Sequence, residues 1–438
     1  MNPLEQTTQQ VIDLIKKNKA SDFEFSVGKS SGVSTAVRLS KVETLQYHLD
    51  TSFDVSVYFG KNKGQATSVD LSKESLKKAI DSACMIAKYT QEDPFNGLAP
   101  KERMAWDAPD LDLYHPWNLD AKQSIDIAKE CEQVALEQDE IDNSDGAELS
   151  SYEGETYYAN SNGLVAKIKN TRHSLHCSLI AKRESEMQTA YEYSIALDSS
   201  DLMSPSKVGQ KAASFAQKKL GSQHLMSQKC PVLFIPRQAS GLFSQLLGAL
   251  SGSRQFKKTS FLLGSLDKSV LTESISIYED PLQLKTLGSR AFDLDGVLKN
   301  KQFFVKDGRV VTYLMGQYSA NQLGLETTAN AGGVSNCHVQ SNFDGGLEEL
   351  TKDMTKGLIV TDLMGHGVNA TTGDYSRGAS GFWVENGIIQ FPVSGITIAG
   401  NLKTMLKNIV YVGNDIDSRS NVKVGSTLIN EMTIAGEG

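Results

Sequence analysis

Leu363 to Asn401 reads LMGHGVNATTGDYSRGASGFWVENGIIQFPVSGITIAGN. Glycine punctuates it at Gly365, Gly367, Gly373, Gly378, Gly381, Gly387, Gly395 and Gly400. Three short strand-like runs lie between the glycines: Phe382-Trp383-Val384, Ile388 to Val393, and Ile396 to Ala399. Glu385-Asn386-Gly387 separates the first two, and Asn-Gly between apolar runs is a strong hairpin signal. Read alone, the stretch predicts β-hairpins in a sandwich or barrel.

Working outward, Pro231 to Pro236 is a short apolar strand. A helix carrying Leu242, Phe243, Leu246, Leu247 and Leu250 follows it. Beyond Arg254 the signals are β and turn, apart from helices near Leu347 to Lys356 and Leu402 to Lys407. The spacing therefore predicts a mainly-β C-terminal domain over residues 226–438. The first half differs. Helical spacing runs from Pro3 to Lys17, from an N-cap at Ser72, from Ala121 to Gln138 and from Ser206 to Leu220, with Gly221 as a C-terminal stop. Between these helices, Phe23 to Val27 and Phe53 to Phe59 alternate in the manner of a half-buried sheet, and Lys61 to Gly64 reads as a hairpin loop. Tyr157 to Ala159 and Leu164 to Ile168 flank an Asn162-Gly163 turn. Ser174 to Ala181 and Thr189 to Ile195 extend the sheet. The expectation is an α+β chain, with residues 1–225 an N-terminal domain of helices on a mostly antiparallel sheet.

Composition narrows the function. A chain of 438 residues is long for one core. The net charge of −8 disfavours a nucleic-acid or membrane-surface protein. MNPLEQTTQQ has no basic stretch leading into an apolar run, so no secretory signal is expected. The five cysteines are dispersed without a CxxC pair, which suits a reducing cytoplasm.

The spacing TGDYSRGASGFWVENG…PVSGITIAGN resembles the C-terminal signature of the TldD/PmbA peptidase family, and within it the PmbA (TldE) branch. The resemblance extends to Ser68-Val69-Asp70-Leu71-Ser72, to Asp107 through Leu113, to Thr171 through Leu175, and to Gly413-Asn414-Asp415-Ile416. It implies a heterodimer of a PmbA-type chain with a TldD-type catalytic chain, enclosing a chamber that processes unfolded peptides such as microcin precursors. A homodimer is possible when that partner is absent. In the TldD branch the helix after the Pro236 strand resembles H-E-x-x-x-H. Its two histidines hold zinc, its glutamate activates water, and a late cysteine completes the ligand set.

This chain departs from that pattern. Ser244 and Ala249 stand where the histidines would be, and Gln245 where the glutamate would be; Gly248 is kept. Glutamine cannot accept water's proton and alanine cannot hold a metal. No histidine lies between His224 and His338, and no cysteine follows Cys337. On an ideal helix, residues five apart diverge by about 140°. The resemblance thus implies zinc in the partner and none in this chain.

Other groups were weighed. His173 and His176, with Cys177, form a candidate metal cluster, but residues three apart on a strand face opposite ways. His366, Asp374, Tyr375 and Arg377 are candidates for peptide binding or partner contact, against glycine-enforced turns with an Asp–Arg surface pair. Gly28-Lys29-Ser30-Ser31-Gly32 has the letters of a nucleophile elbow, but its flank is β-like rather than helical. Ser376 and Ser380 lack the motif. No phosphate-binding loop appears, and gyrase modulation, a label attached to the family, finds no nucleic-acid motif. The reading is the non-metal subunit of a zinc peptidase. A self-sufficient metallopeptidase with unidentified ligands and a non-enzymatic peptide-binding adaptor are the alternatives.

Overall fold

The computed structural model describes residues 2–436. Helix α1 (Pro3–Lys17) opens it, capped by Asn2 and Glu5 in a reciprocal capping box. Strands β1 (Asp22–Arg38), β2 (Lys41–Phe59) and β3 (Asn62–Ser68) lead to α2 (Lys73–Tyr89), whose N-cap is Ser72. An extended traverse carries the chain to α3 (Ala121–Leu136). Strands β4 (Ile141–Asn160), β5 (Val165–Arg183) and β6 (Glu186–Ala196) follow, then α4 (Pro205–Lys218). The six strands form one antiparallel sheet in the order β3-β2-β1-β4-β5-β6.

Strict alternation sorts this sheet into two faces. Phe23, Phe25, Val27, Phe53, Val55, Val57 and Tyr157 face α1 and α2 in one apolar cluster. Further along the same face, Val37, Leu149, Leu175, Cys177 and Leu179 meet α3 and α4. All four helices therefore share one side. The opposite parity, including Glu24, Ser26, Ser56 and Tyr158, is left for loops and solvent. Close approach is built into the helix side. A Cβ on Gly64 of β3 would lie 2.0 Å from the Ala83 carbonyl oxygen and 2.5 Å from the Ala87 nitrogen of α2.

The second half starts with β7 (Gln228–Phe234), α5 (Pro236–Ala249) and α6 (Gly252–Phe256). Then come β8 (Ile277–Glu279), β9 (Gln302–Lys306), β10 (Arg309–Val310), α7 (Gln317–Leu323) and β11 (Cys337–Val339). Helix α8 (Leu347–Lys352), β12 (Lys356–Met364), β13 (Asp374–Glu385), β14 (Ile388–Asn401), α9 (Leu402–Lys407), β15 (Ile409–Val412), β16 (Val422–Lys423) and β17 (Thr427–Ala435) complete it. Strands run β14-β13-β12-β7-β17, and β17 pairs back to β14, so five strands close into a barrel; β15 adds to β17 outside the ring. The β7–β12 pair is parallel and the others in the ring are antiparallel. A small second sheet, β10-β9-β8-β11-β16, lies beside it. The expected α+β class, with a barrel-like β region late in the chain, is what the molecule has.

Some segments differ from the expectation. The runs Leu164 to Ile168 and Ser174 to Ala181 merge into one strand, β5, which begins at Val165, because its pairing with β4 carries straight through the polar residues between them. Ile388 to Val393 and Ile396 to Ala399 likewise form one strand, β14, with the register shifting around Gly395 at φ 67°. The turn after β2 is tighter than Lys61 to Gly64, since Phe59 already pairs with Asn62. The Asn386-Gly387 turn is as read, with φ of 52° and 75° joining β13 to β14. Gly64→Ala is expected to destabilise the fold by about 2 kcal/mol, the cost of forcing a methyl into packed backbone. A lower urea midpoint with an unchanged m-value would show it.

Candidate functional site

Helix α5 packs its Ala239, Leu242, Phe243, Leu246, Leu247 and Ala249 side into the barrel's apolar cluster. The other side carries Gly241, Ser244, Gln245 and Gly248. Gly241 and Ser244 are exposed, Gln245 and Gly248 half-buried. A Cβ added at Gly241 or Gly248 meets nothing within 4 Å, so open space lies over this stripe. Ser244 turns its hydroxyl back on its own helix, donating to the Ser240 carbonyl at 2.7 Å. Ala249 is fully buried. Its carbonyl accepts from Gln255 Nε2 at 2.8 Å and Ser260 Oγ at 2.7 Å.

Positions 244 and 249 thus face solvent and core respectively, which is the divergence a regular helix imposes on residues five apart. Zinc does not fit here. Serine, glutamine and alanine supply no ligand set, and the two positions do not converge. Among the described residues, no group of three His, Cys, Asp or Glu side chains is arranged to hold a metal ion.

The other sequence candidates are dispersed. His366 is exposed in the loop between β12 and β13, its carbonyl accepting from Val368 N at 2.7 Å. Asp374 is exposed, and its carboxylate takes Thr372 Oγ1 at 2.6 Å and Asn401 Nδ2 at 3.1 Å, which hold it below its usual pKa. No Asp374–Arg377 pair forms, because residues three apart on β13 have opposite parity. Tyr375 is buried in the barrel cluster, and burial pushes its phenol up to about 12. Arg377 shares the parity of Tyr375 and is half-buried, with a buried Nε that has no acceptor.

His173 and His176 lie on opposite faces of β5. His173 is buried, with Nδ1 2.9 Å from Ser151 Oγ, Nε2 3.0 Å from the His115 carbonyl oxygen and its ring edge-on to Trp117. His176 is half-buried against Tyr191, and burial lowers its pKa. Ser30 of the elbow-like letters sits mid-strand in β1.

Sequence reading missed a charged cluster at the foot of α5. Glu192, buried on edge strand β6, accepts from Arg237 Nη2 at 2.8 Å and Arg419 Nη1 at 2.6 Å. Arg419 also grips Asp417 at 2.8 and 2.7 Å and donates to the Tyr193 carbonyl at 2.8 Å. Burial alone would raise the Asp417 pKa, but the Arg419 hydrogen bonds outweigh it and the carboxyl stays below its ordinary value. Both guanidinium groups lie over the Tyr193 ring, Arg419 at 4.3 Å and Arg237 at 5.2 Å. Partners 45 and 227 residues apart leave no local pattern to read.

A helix-backed antiparallel sheet is joined to a closed five-stranded barrel on which α5 packs. The descriptions of the PmbA/TldA metallopeptidase domain 1, central domain and C-terminal domain match residues 23–87, 114–220 and 227–436. The chain is 44% identical over 434 residues to the metalloprotease PmbA homolog of Haemophilus influenzae, covering 99% of this chain and 96% of that protein. It is 43% identical over 437 residues to the metalloprotease PmbA of Escherichia coli O157:H7, with the same coverage. A candidate modulator of DNA gyrase from Bacteroides thetaiotaomicron superposes with a TM-score of 0.94 at 28% identity over all of both chains. TldE from Thermococcus kodakarensis shares the fold at a TM-score of 0.84 and 21% identity, covering 98% of this chain and 100% of that one. The chain belongs to the PmbA/TldD metallopeptidase family. No helix among the described residues is long and apolar enough to cross a membrane.

Glu192→Ala is expected to cost about 3–5 kcal/mol of stability in urea unfolding, since it strands two arginines beside a buried strand edge. Gly248→Ala should instead stabilise by about 0.5–1 kcal/mol, as an unhindered helical glycine gains a methyl. A raised melting temperature would check it.

Proposed function

We propose that this chain is the PmbA (TldE)-type, non-catalytic subunit of a two-chain zinc peptidase that processes unfolded peptides. The observation that carries the reading is the α5 stripe. Within a family match spanning almost the whole chain, Ser244, Gln245 and Ala249 stand where the resemblance would put the ligand–base–ligand motif, and Ala249 is sealed in the core. Zinc and the activated water then belong to a TldD-type partner. This chain's part is to complete the chamber and hold the peptide, with the open face of α5 turned toward the enclosed space. A homodimer in the partner's absence fits the same reading. Five free, buried cysteines suit a cytoplasmic protein. Gyrase modulation, the description carried by two structural relatives, gains nothing from a net charge of −8.

The test is metal content and peptidase activity of the purified chain, alone and mixed with a TldD-type chain. The expected result is no bound zinc and no cleavage alone, with cleavage of an unstructured peptide in the mixture. Stoichiometric zinc with cleavage by this chain alone would make it a self-sufficient metallopeptidase and overturn the proposal. Peptide binding without cleavage in either case would leave the adaptor reading.

A further inference from the structure

Opposite its four helices, the N-terminal sheet floors a cleft of about 1200 Å³. One wall is the segment around Asp110 to Tyr114; another is the Ser289 to Asp295 loop from the second half of the chain. The floor is polar, with Ser26, Asp54, Ser56, Gln65, Thr67 and Thr156.

Two carboxylates in this cleft have very different partners. Glu24 is satisfied: Tyr58 donates to it at 2.8 Å, Tyr158 at 3.3 Å, and Lys63 Nζ stands 3.3 Å away. Asp295, on the facing loop, takes only the backbone N–H of Gln317, at 2.6 Å on Oδ2, and has no cation within ion-pair reach. Its neighbour Asp293 offers no relief. That carboxylate is spent on the N–H groups of Asp295, Val297 and Ala331. Burial, and then the charge of Asp293, lift the Asp295 carboxyl to about 7. A desolvated carboxylate in this position is stabilised by a cation brought to it.

The cleft also exposes main chain. Over Val165 to Arg172, β5 is paired on one side only, by β4; β6 joins it from His173 onward. Thr171 N points to the outer side, donating to the Leu113 carbonyl at 2.9 Å. By strand alternation, the N–H and C=O groups of Lys169 and Lys167 point the same way, and both residues line the cleft. An open edge of this kind accepts an extended chain through main-chain hydrogen bonds, whatever its sequence.

We infer that this cleft binds an extended peptide segment bearing an ammonium group, its backbone along the free edge of β5 and its amine on Asp295. The inference rests on the peptide-handling reading above and locates the peptide on this chain. Charge complementarity selects the occupant: Asp54 and Asp110 also line the cleft without an ion pair but are exposed to water, whereas Asp295 is withdrawn from water with one backbone donor and no cation, and the adjoining edge is of strand geometry.

The test is fluorescence anisotropy with the full chain and an unstructured, lysine-free peptide labelled at its C-terminus. It is used with a free α-amine, with an acetylated one, and with a free amine plus N-methyl groups on alternate residues. Free-amine peptide is expected to bind about tenfold more tightly than either modified form, one ion pair or one set of edge bonds being worth about 1.4 kcal/mol. Asp295→Asn should bring the free-amine peptide to the affinity of the acetylated one. Equal binding of all three peptides to the wild-type chain overturns the inference, and that comparison stands even if the variant fails to fold. An amine preference that survives Asp295→Asn in a folded variant overturns the assignment to Asp295. Cleavage in the partner mixture without an amine preference here leaves the subunit reading intact while this inference falls. Amine-selective binding with no cleavage in the mixture does the reverse.

Discussion

Glu192 holds two guanidinium groups where the two halves of the chain meet. Strand β6 ends the N-terminal sheet, so one side of its backbone has no neighbouring strand. An open edge invites association with other chains. Here Arg419 covers it, donating to the Tyr193 carbonyl while stacking on that ring, and Arg237 comes in from the first turn of α5. Helix α5 is thereby anchored to the sheet that floors the cleft. A buried carboxylate shared by two arginines is a costly arrangement unless every member is satisfied. Asp417 and the tyrosine rings supply the remaining contacts.

The barrel depends on a different constraint, closure. Strand β17 lies between β7 and β14 and leaves the ring no free edge. The glycine-dense stretch makes the tight parts possible. Asn386 and Gly387 adopt positive φ in the two-residue turn, and Gly395 takes the register shift that lets β14 bend. Helix α5 then packs its apolar side on the closed ring and keeps its glycine-bearing side open. The same sequence pattern therefore serves the barrel and leaves the Gly241, Ser244 and Gly248 stripe uncovered.

Much of this was legible in the chain itself. The helices at Pro3–Lys17, Lys73–Tyr89, Ala121–Leu136 and Leu402–Lys407 follow from caps and 3.6-residue spacing, both local properties. The absence of histidine between His224 and His338 is likewise read straight from the chain. Strand lengths were less legible. Polar residues 169–173 look like a break in a strand, yet the pairing of β5 with β4 runs straight through them. Tyr375 read as a candidate contact residue because it follows His366 closely in the glycine-dense stretch, yet its parity on β13 sends it into the core.

By itself the sequence determined the α+β class, the hairpin at Asn386-Gly387, the family signature and the absence of histidine from α5. Each depends on residue identity or short-range periodicity. Only the tertiary structure decided that all four N-terminal helices share one face, that β17 closes the barrel, that Ala249 faces the core while Ser244 faces outward, and that Glu192 meets Arg419. It also left Asp295 without a cation across the cleft from Glu24. These are relations between residues far apart in the chain. Their energies come from burial and pairing, and no local pattern encodes which distant group will supply the pair.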